Sequence, residues 1–270
     1  MDRQRYDILD GLRGVAAIMV VIFHISEAFS YDPVEKVLNH GFLCVDFFFV
    51  LSGFVVAHAY QARMKSGRMT RWQFIKARLM RLQPMIVFAT LLGALLFYLQ
   101  ESPVYPGIKD ASLGYLMANV LAGVCMLPIP PEWNVRANGE MLLLNIPQWS
   151  MFFEYIANIL FCLFAFRLGR KGLVLLVAAF GLLLADSALT LNIFGNLPTE
   201  GYPLSLNAGW SGTLEHFYVG IARVGFAFFA GMLLYHLYQL PCVARLSQRC
   251  RGHFLVCSLL VIGMVCVPHR

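Results

Sequence analysis

Long apolar runs, separated by short polar segments, fill most of the chain. A helix that crosses a bilayer needs about 20 mostly apolar residues, and none of these runs alternates as a membrane strand does. The pattern predicts an all-α, polytopic transmembrane helix bundle with about seven spans. The predicted spans are 10–30, 42–60, 83–100, 148–166, 172–191, 216–238 and 254–268.

A further apolar segment, 112–128, decides the predicted topology. Basic residues concentrate in cytoplasmic loops, and the chain has basic clusters near the N-terminus and at 61–81, 167–171 and 245–251. All four clusters fall on one side only if 112–128 does not cross. We therefore expect a cytoplasmic N-terminus and a re-entrant or interfacial segment at 112–128.

Composition supports a membrane protein and favours membrane lipid over nucleic acid as the partner of its basic residues. The chain is 59% hydrophobic and 13% charged, with a net charge of +6, whereas average chains are about 25% charged. No acid lies between Asp46 and Glu101, so the basic run at 61–81 indicates a cytoplasmic helix in the interface beside anionic lipid rather than a nucleic-acid site. The seven cysteines form no C-x-x-C pair, which predicts no disulfide framework and no metal site.

Two polar residues inside the first apolar run are the leading candidates for chemistry. Arg13 and His24 are eleven positions apart, which brings them within about 20° on one helix face and about 16 Å apart along the axis. Ionisable residues inside a span indicate function by default. The alternative is an Arg13 that snorkels to the interface and a His24 that hydrogen-bonds to another helix.

Carboxylates could complete such a site. Glu27 follows His24 by three residues and could hydrogen-bond to it, while Asp46 and Glu154 enter the second and fourth spans. An imidazole with nearby carboxylates can act as a general base on a hydroxyl, and a guanidinium suits a phosphate. Two alternatives remain open: Asp46 as a helix cap, and Glu154 as the structural partner of a buried arginine.

Other polar or small residues in the spans have simpler interpretations. The small pair Ser52-Gly53 either lets helices approach closely or lines a cavity, and Ser52 lacks the turn of a nucleophile elbow. Arg223 could pair with a carboxylate or snorkel to the interface. Trp149 is typical of an interface anchor, and the alternative is a residue on which a substrate stacks.

Five blocks of the sequence, taken in order, resemble the acyltransferase family 3 of integral membrane O-acyltransferases. The first block contains an arginine and a histidine with ten residues between them, which is the hallmark pair of that family. The blocks are L-D-G-L-R-G-V-A-A-I-M-V-V-I-F-H (9–24), G-F-L-C-V-D-F-F-F-V-L-S-G-F-V-V (41–56), F-I-K-A-R-L-M-R-L-Q-P (74–84), Q-W-S-M-F-F-E (148–154) and R-V-G-F-A-F-F-A-G-M-L-L (223–234).

The resemblance implies a function and a set of residues. Members move an acyl group, usually acetyl from cytoplasmic acyl-CoA, to a hydroxyl of an extracytoplasmic glycan or small molecule, with no metal. It implies a multi-pass protein of the bacterial inner membrane that contacts membrane lipids. The candidate catalytic residues are His24, Arg13, Asp46 and Glu154, and the candidate donor-binding residues are Arg13, Arg78 and Arg81.

The resemblance also predicts the extent of the domain and shows one departure from the family pattern. Residues 1–270 are expected to form a single membrane-embedded acyltransferase domain that lacks the last spans of the family. Gln83 stands where members usually have an aromatic residue before the proline.

Two other functions compete with acyl transfer. In a proton-coupled transporter of a small polar or glycan-related substrate, the histidine and carboxylates would form a proton relay. That function predicts internal repeats with interrupted helices in matching positions, and the sequence shows none. A structural membrane subunit predicts no clustered ionisable residues inside the spans.

Overall fold

The predicted all-α class is confirmed. The computed structural model describes residues 7–29, 40–136, 138–195, 206–243, 245 and 254–266. Within these ranges the regular structure is helical, and the extended pairing consists of one isolated bridge between Glu140 and Ser211.

The principal helices of the described residues are numbered here in chain order. They are α1 (Asp7–Phe29), α2 (Leu43–Val56), α3 (Arg71–Leu96), α4 (Leu113–Cys125), α5 (Trp149–Leu163), α6 (Arg170–Ala188), α7 (Leu214–Tyr238) and α8 (Phe254–Val265). The α2 helix continues through a π-helical turn, Ala57–Gln61, and a last turn, Ala62–Lys65.

Five helical segments of the described chain are long and apolar enough to cross a membrane. These are Leu9–Glu27, Leu43–Lys65, Arg71–Gln100, Arg170–Ala188 and Leu214–Tyr238. The predicted spans 148–166 and 254–268 correspond to α5 and α8, which have 15 and 12 residues. The chain is therefore a multi-pass helical membrane protein in which several apolar helices are shorter than a typical span of about 20 residues.

The third predicted span begins earlier than the sequence suggested. The basic segment expected to lie separately in the interface forms the first part of α3, which runs unbroken through Pro84. Its start at Arg71 is set by a capping box, in which the Thr70 hydroxyl accepts from the Gln73 backbone N–H and the Gln73 side chain accepts from that of Thr70. This reciprocal cap satisfies two backbone donors at the helix start.

The chain divides into two compact units. The first comprises Met1–Ala59, Arg170–Val174 and Ala227–Arg270, and the second comprises Tyr60–Gly169 and Leu175–Phe226. In the first unit, α1 packs against α2 and α8. Their shared core contains Ala16, Met19, Phe23, Cys44 and Val265.

Glycines in the first unit let two backbones touch. A Cβ atom on Gly53 would lie 1.9 Å from the Phe228 carbonyl oxygen, and one on Gly231 would lie 2.0 Å from that of Val50. Real side chains do not come that close, so α2 and α7 contact each other through their backbones at these positions. The expected role of Gly53 in close helix approach is confirmed.

In the second unit, α4 runs antiparallel along α3. Near the start of α4, Leu116 shares a buried cluster with Phe97 at the end of α3. Near its end, the Gln83 side-chain N–H donates to the Val124 carbonyl oxygen at 2.6 Å. The helix therefore runs from the C-terminal end of α3 back to the level of Gln83.

The segments on either side of α4 contact one hydrophobic cluster. Ala111 before α4 and Ile129 after it both belong to the cluster around Phe97 and Ile108. Both flanks of α4 therefore contact one hydrophobic cluster, and the re-entrant or interfacial position of 112–128 stays a prediction.

Candidate functional site

The hallmark arginine and histidine both lie on α1, and each contacts a carboxylate one turn away. The Arg13 Nη1 atom is 3.2 Å from Asp10 Oδ1, and His24 Nδ1 is 3.1 Å from Glu27 Oε2. The Arg13 and His24 side chains are 39% and 36% exposed. The expected hydrogen bond between His24 and Glu27 is thus present, and Arg13 has a local acidic partner.

The contact with Glu27 determines what His24 can do chemically. When Nδ1–H donates to the carboxylate, the lone pair of the neutral ring is on Nε2. The carboxylate also stabilises the imidazolium that forms when Nε2 takes a proton, because an ionised acceptor strengthens the hydrogen bond. The ring is further held by an edge contact with Phe23, with centroids 5.3 Å apart. Such an arrangement can accept a proton from a hydroxyl.

Asp46 lies in the first turn of α2, and its side chain is half-buried. The N-cap residue of that helix is Phe42, so the structure does not assign Asp46 the N-cap position. A carboxylate in the first turn is nonetheless stabilised by the partial positive charge at the helix N-terminus.

The second unit contains a buried ion pair between α3 and α5. Arg78 Nη2 lies 2.6 Å from Glu154 Oε1, and the two side chains are 3% and 15% exposed. The structure therefore brings together two predicted site residues to which the sequence argument gave different roles. It also shows the alternative for Glu154, in which it partners a buried arginine. Arg81, one turn further along α3, is exposed.

Arg223 is buried rather than snorkelling. Its side chain is 1% exposed, its Nη1 atom donates to the Ala208 carbonyl oxygen at 2.8 Å, and its guanidinium lies 5.1 Å from the centre of the Trp149 ring. Trp149 is itself buried, so its predicted role as an interface anchor is wrong. A residue of the fourth block and a residue of the fifth block of the resemblance thus form one cation–π contact.

Sequence reasoning missed a glutamine beside that tryptophan. Gln148 is buried, its amide donates to the Ile86 carbonyl oxygen at 2.9 Å, and it hydrogen-bonds to the Thr90 hydroxyl. The signal in the sequence was a polar residue at the edge of an apolar run, which resembles an ordinary helix boundary.

A polar cluster in the connection between α4 and α5 was also missed. Arg136 and Glu140 are buried, the Asn134 amide donates to Glu140 Oε2 at 2.5 Å, and Arg136 hydrogen-bonds to Gln100. Burial lowers the pKa of the Arg136 guanidinium, and the charge of Glu140 opposes that shift. This connection has no helical or strand periodicity, so no sequence pattern places these residues together.

No group of three or more potential metal ligands occurs among the residues that the structure describes.

Comparisons with known proteins show which family the sequence matches. The sequence profile of acyltransferase family 3, described as an acyltransferase domain, matches residues 6–267. Protein 2 in the picA locus of Rhizobium radiobacter is 34% identical over 190 residues, which cover 68% of this chain and 95% of that protein. No solved structure was found to match the chain.

Two further relatives are longer proteins. Acyltransferase MdmB of Streptomyces mycarofaciens is 30% identical over 175 residues, covering 62% of this chain and 41% of that protein. O-acetyltransferase OatA of Staphylococcus aureus is 35% identical over 81 residues, covering 30% of this chain and 12% of that protein. Because the family profile spans nearly all of the sequence, the chain belongs to acyltransferase family 3, a family of membrane-bound O-acyltransferases.

Proposed function

We propose that the protein transfers an acyl group, most simply acetyl, from cytoplasmic acyl-CoA to a hydroxyl of an extracytoplasmic glycan or small molecule. The observation that carries this proposal is the hydrogen bond between His24 and Glu27 on an apolar helix of an acyltransferase-family chain. The relative named an O-acetyltransferase supports acetyl as the group transferred. We place the protein in a bacterial inner membrane, with its N-terminus in the cytoplasm.

His24 serves as the general base. Its Nε2 atom takes the proton of the acceptor hydroxyl while the hydroxyl oxygen attacks the thioester carbonyl carbon. The carbon–sulfur bond then breaks, the CoA thiolate leaves and takes up the proton from the imidazolium, and an ester of the acceptor remains. Glu27 keeps Nδ1 protonated, so that Nε2 is the basic atom throughout. Asp46 contributes a second carboxylate on the first unit.

Arg13 and Arg81 serve the donor. CoA carries phosphates, for which a guanidinium is a suitable partner. Arg13 lies about 16 Å along α1 from His24, toward the N-terminus that we place in the cytoplasm, and Arg81 is exposed on α3. Arg78 was a third donor candidate, but its guanidinium is buried against Glu154. We therefore assign the Arg78–Glu154 pair to positioning α3 against α5.

The direct test is acyl transfer by membranes that contain the protein. Radiolabelled acetyl-CoA is supplied on the cytoplasmic side, and label in the membrane glycan fraction is counted for wild type and for His24→Ala. General acid–base catalysis contributes about 100-fold or more, so we expect at least that loss. His58→Ala is the matched control, because His58 is an exposed histidine in the π-helical turn of α2. Full activity of His24→Ala at a normal membrane level would contradict the assignment.

The orientation has its own test. Single cysteines are introduced at 102–111 and 132–146 in a variant without native cysteines, and labelled with a membrane-impermeant maleimide. Since we propose that 112–128 does not cross, both regions should react from the outer side. Labelling of 132–146 only from the cytoplasm would overturn the proposed orientation.

A further inference from the structure

A groove of about 300 Å³ lies in the second unit, between the first part of α3 and the middle of α5. Along α3 its lining runs from Ile75 to Gln83, which is about 12 Å of helix. The end of α4 forms the third wall. The groove is open along one side, because Leu79 and Ile159, which line it, are both exposed.

The walls of the groove are mainly apolar. Two of the polar groups that also line it are already engaged: the Arg78 guanidinium with Glu154, and the Gln83 side-chain N–H with the Val124 carbonyl oxygen. A hydrocarbon chain asks for no hydrogen bonds, so this surface suits one. The apolar lining residues are Ile75, Leu79, Met126, Phe152, Ile156 and Ile159.

The open side of the groove is surrounded by membrane-facing surface. The α3 helix belongs to the segment Arg71–Gln100, which is long and apolar enough to cross a membrane. Beside the groove, Met80 on α3 and Leu163 at the end of α5 are exposed. A continuous exposed apolar surface on such a protein marks contact with lipid. The groove is therefore accessible to acyl chains of the bilayer.

One end of the groove has a polar border. The Arg71 Nη2 atom donates to the Leu163 carbonyl oxygen at 3.3 Å, so Arg71 joins the start of α3 to the end of α5. This contact lies one helical turn, about 6 Å, beyond Ile75 and Ile159. Trp72, beside Arg71, is exposed, and exposed tryptophans of membrane proteins lie at the level of the lipid headgroups. A chain in the groove would thus have its headgroup near Arg71.

The charge at this end is positive and unbalanced. No acidic residue occurs in 47–100 or in 155–185. The last turn of α2 lies at the same end, because the Lys65 ammonium donates to the Leu168 carbonyl oxygen at 3.1 Å. Clustered basic side chains at a membrane surface attract anionic headgroups. The exposed basic residues at this end of the second unit are Arg63, Lys65, Arg68, Arg71, Lys76 and Arg167.

We propose that the groove binds one acyl chain of an anionic phospholipid, with the lipid phosphate against Arg71 and Lys76. The open side lets the chain enter from the bilayer, and the basic end selects the headgroup. All residues of this site belong to the second unit, so its occupancy does not depend on the reaction at His24. Because the lipid binds only the folded protein, it stabilises the second unit.

The test titrates the purified full-length protein in detergent with four probes. These are dioleoylphosphatidylglycerol, dioleoylphosphatidylcholine, oleoyl-lysophosphatidylglycerol and inorganic phosphate. Native mass spectrometry counts the retained lipid, and the shift in unfolding temperature gives a second readout. The three probes with oleoyl chains separate the contribution of the headgroup from that of the chains, and inorganic phosphate measures the anion alone.

Two kinds of variant address the two parts of the site. Ile156→Phe and Ile159→Phe fill the groove; because Ile159 is exposed, its variant should fold even if the other does not. Leu121→Phe is the matched control, since Leu121 is an exposed residue of α4 that does not line the groove. Arg71→Gln/Lys76→Gln removes two charges, and Lys109→Gln removes an exposed charge from the other end of the unit.

The headgroup part of the site predicts a preference between lipids. Each basic residue near the membrane surface contributes about fivefold to the affinity for an anionic lipid. Wild type should therefore bind phosphatidylglycerol about 25-fold more tightly than phosphatidylcholine. The double charge variant should bind the two lipids equally, and Lys109→Gln should match wild type. Equal affinity of wild type for both lipids would overturn the proposal.

The chain part of the site predicts a loss that is the same for both lipids. Excluding two methylene groups from the groove costs about tenfold in affinity, so both groove variants should lose about that much, and Leu121→Phe should lose nothing. Lysophosphatidylglycerol should keep the headgroup preference, because one chain suffices. Unchanged lipid retention in the groove variants, or an equal thermal shift from inorganic phosphate, would overturn the proposal. A lipid-free dimer that Ile159→Phe dissociates would also overturn it, and would assign the groove to a second copy of the chain.

Discussion

The ionic contacts of α1 and of the α3–α5 pair differ in almost every physical respect. On α1, Arg13 and His24 each contact a carboxylate three residues away, and all four side chains are between 31% and 56% exposed. Between α3 and α5, Arg78 and Glu154 are 76 positions apart, and both are largely buried. The first pairs are local and accessible, whereas the second is long-range and enclosed.

We propose that this difference separates residues that act in catalysis from residues that stabilise the fold. Exposed ion pairs contribute about 0–1 kcal/mol to folding, so α1 can keep ionisable groups available to a substrate without depending on them. Removing one partner of a buried pair leaves an uncompensated charge and costs about 3–5 kcal/mol. Both kinds of residue look alike in the sequence, as charges at the edge of apolar runs. Only their packing shows which ones the fold requires.

The largest effect is expected from breaking the buried pair. Arg78→Ala or Glu154→Ala should lower the free energy of unfolding by about 3–5 kcal/mol, measured by thermal unfolding in detergent and by the amount of protein in the membrane. Arg81→Ala is the control on the same helix, because Arg81 is exposed. The double variant Arg78→Met/Glu154→Leu should recover most of the loss, since no charge is left buried. Normal stability of both single variants would show that the buried pair matters no more to folding than the exposed ion pairs of α1.

A smaller loss of stability is expected from the helix contact in the first unit. Gly53→Ala would place a Cβ atom 1.9 Å from the Phe228 carbonyl oxygen, and the helices must separate at a cost of about 1–3 kcal/mol. Gly14→Ala on α1 is the matched control, because nothing lies within 4 Å of its Cβ position. Unfolding temperatures of the two variants should shift in opposite directions, since alanine favours a helix over glycine. Equal shifts would show that the backbones do not touch.

The smallest effect on stability is expected at Arg13. Asp10→Asn and Arg13→Lys should each change the free energy of unfolding by less than about 1 kcal/mol. Arg13→Lys keeps the charge but loses the planar fork, so acetyl-CoA should bind more weakly than to wild type and more tightly than to Arg13→Ala. Titration calorimetry of the three proteins measures this. Unchanged donor affinity together with lost acceptor binding would refute the donor role.

The sequence predicted the local features well because they depend on short-range patterns. Continuous apolar runs located the long helices, and the three-residue spacing indicated the contact of His24 with Glu27. Gly53 was correctly identified as a point of close helix approach, because a small residue inside an apolar run has few other uses.

The rest depended on contacts between distant segments. The pairing of Arg78 with Glu154, the stacking of Arg223 on Trp149 and the burial of Gln148 each require two helices whose relative rotation no single-helix pattern encodes. The start of α3 at Arg71 was missed for a different reason: the capping box at Thr70 lies well upstream of the apolar stretch.

The central claim is that α1 performs chemistry while the α3–α5 pair maintains the fold. The most direct test measures acetyl transfer and unfolding temperature side by side for His24→Ala and Glu154→Ala, each normalised to the folded protein in the membrane. We predict that His24→Ala keeps the wild-type unfolding temperature and loses transfer by about 100-fold or more. Glu154→Ala should instead unfold at a lower temperature, and its remaining folded fraction should still transfer acetyl. An inactive but fully stable Glu154→Ala, or an active His24→Ala, would contradict the claim.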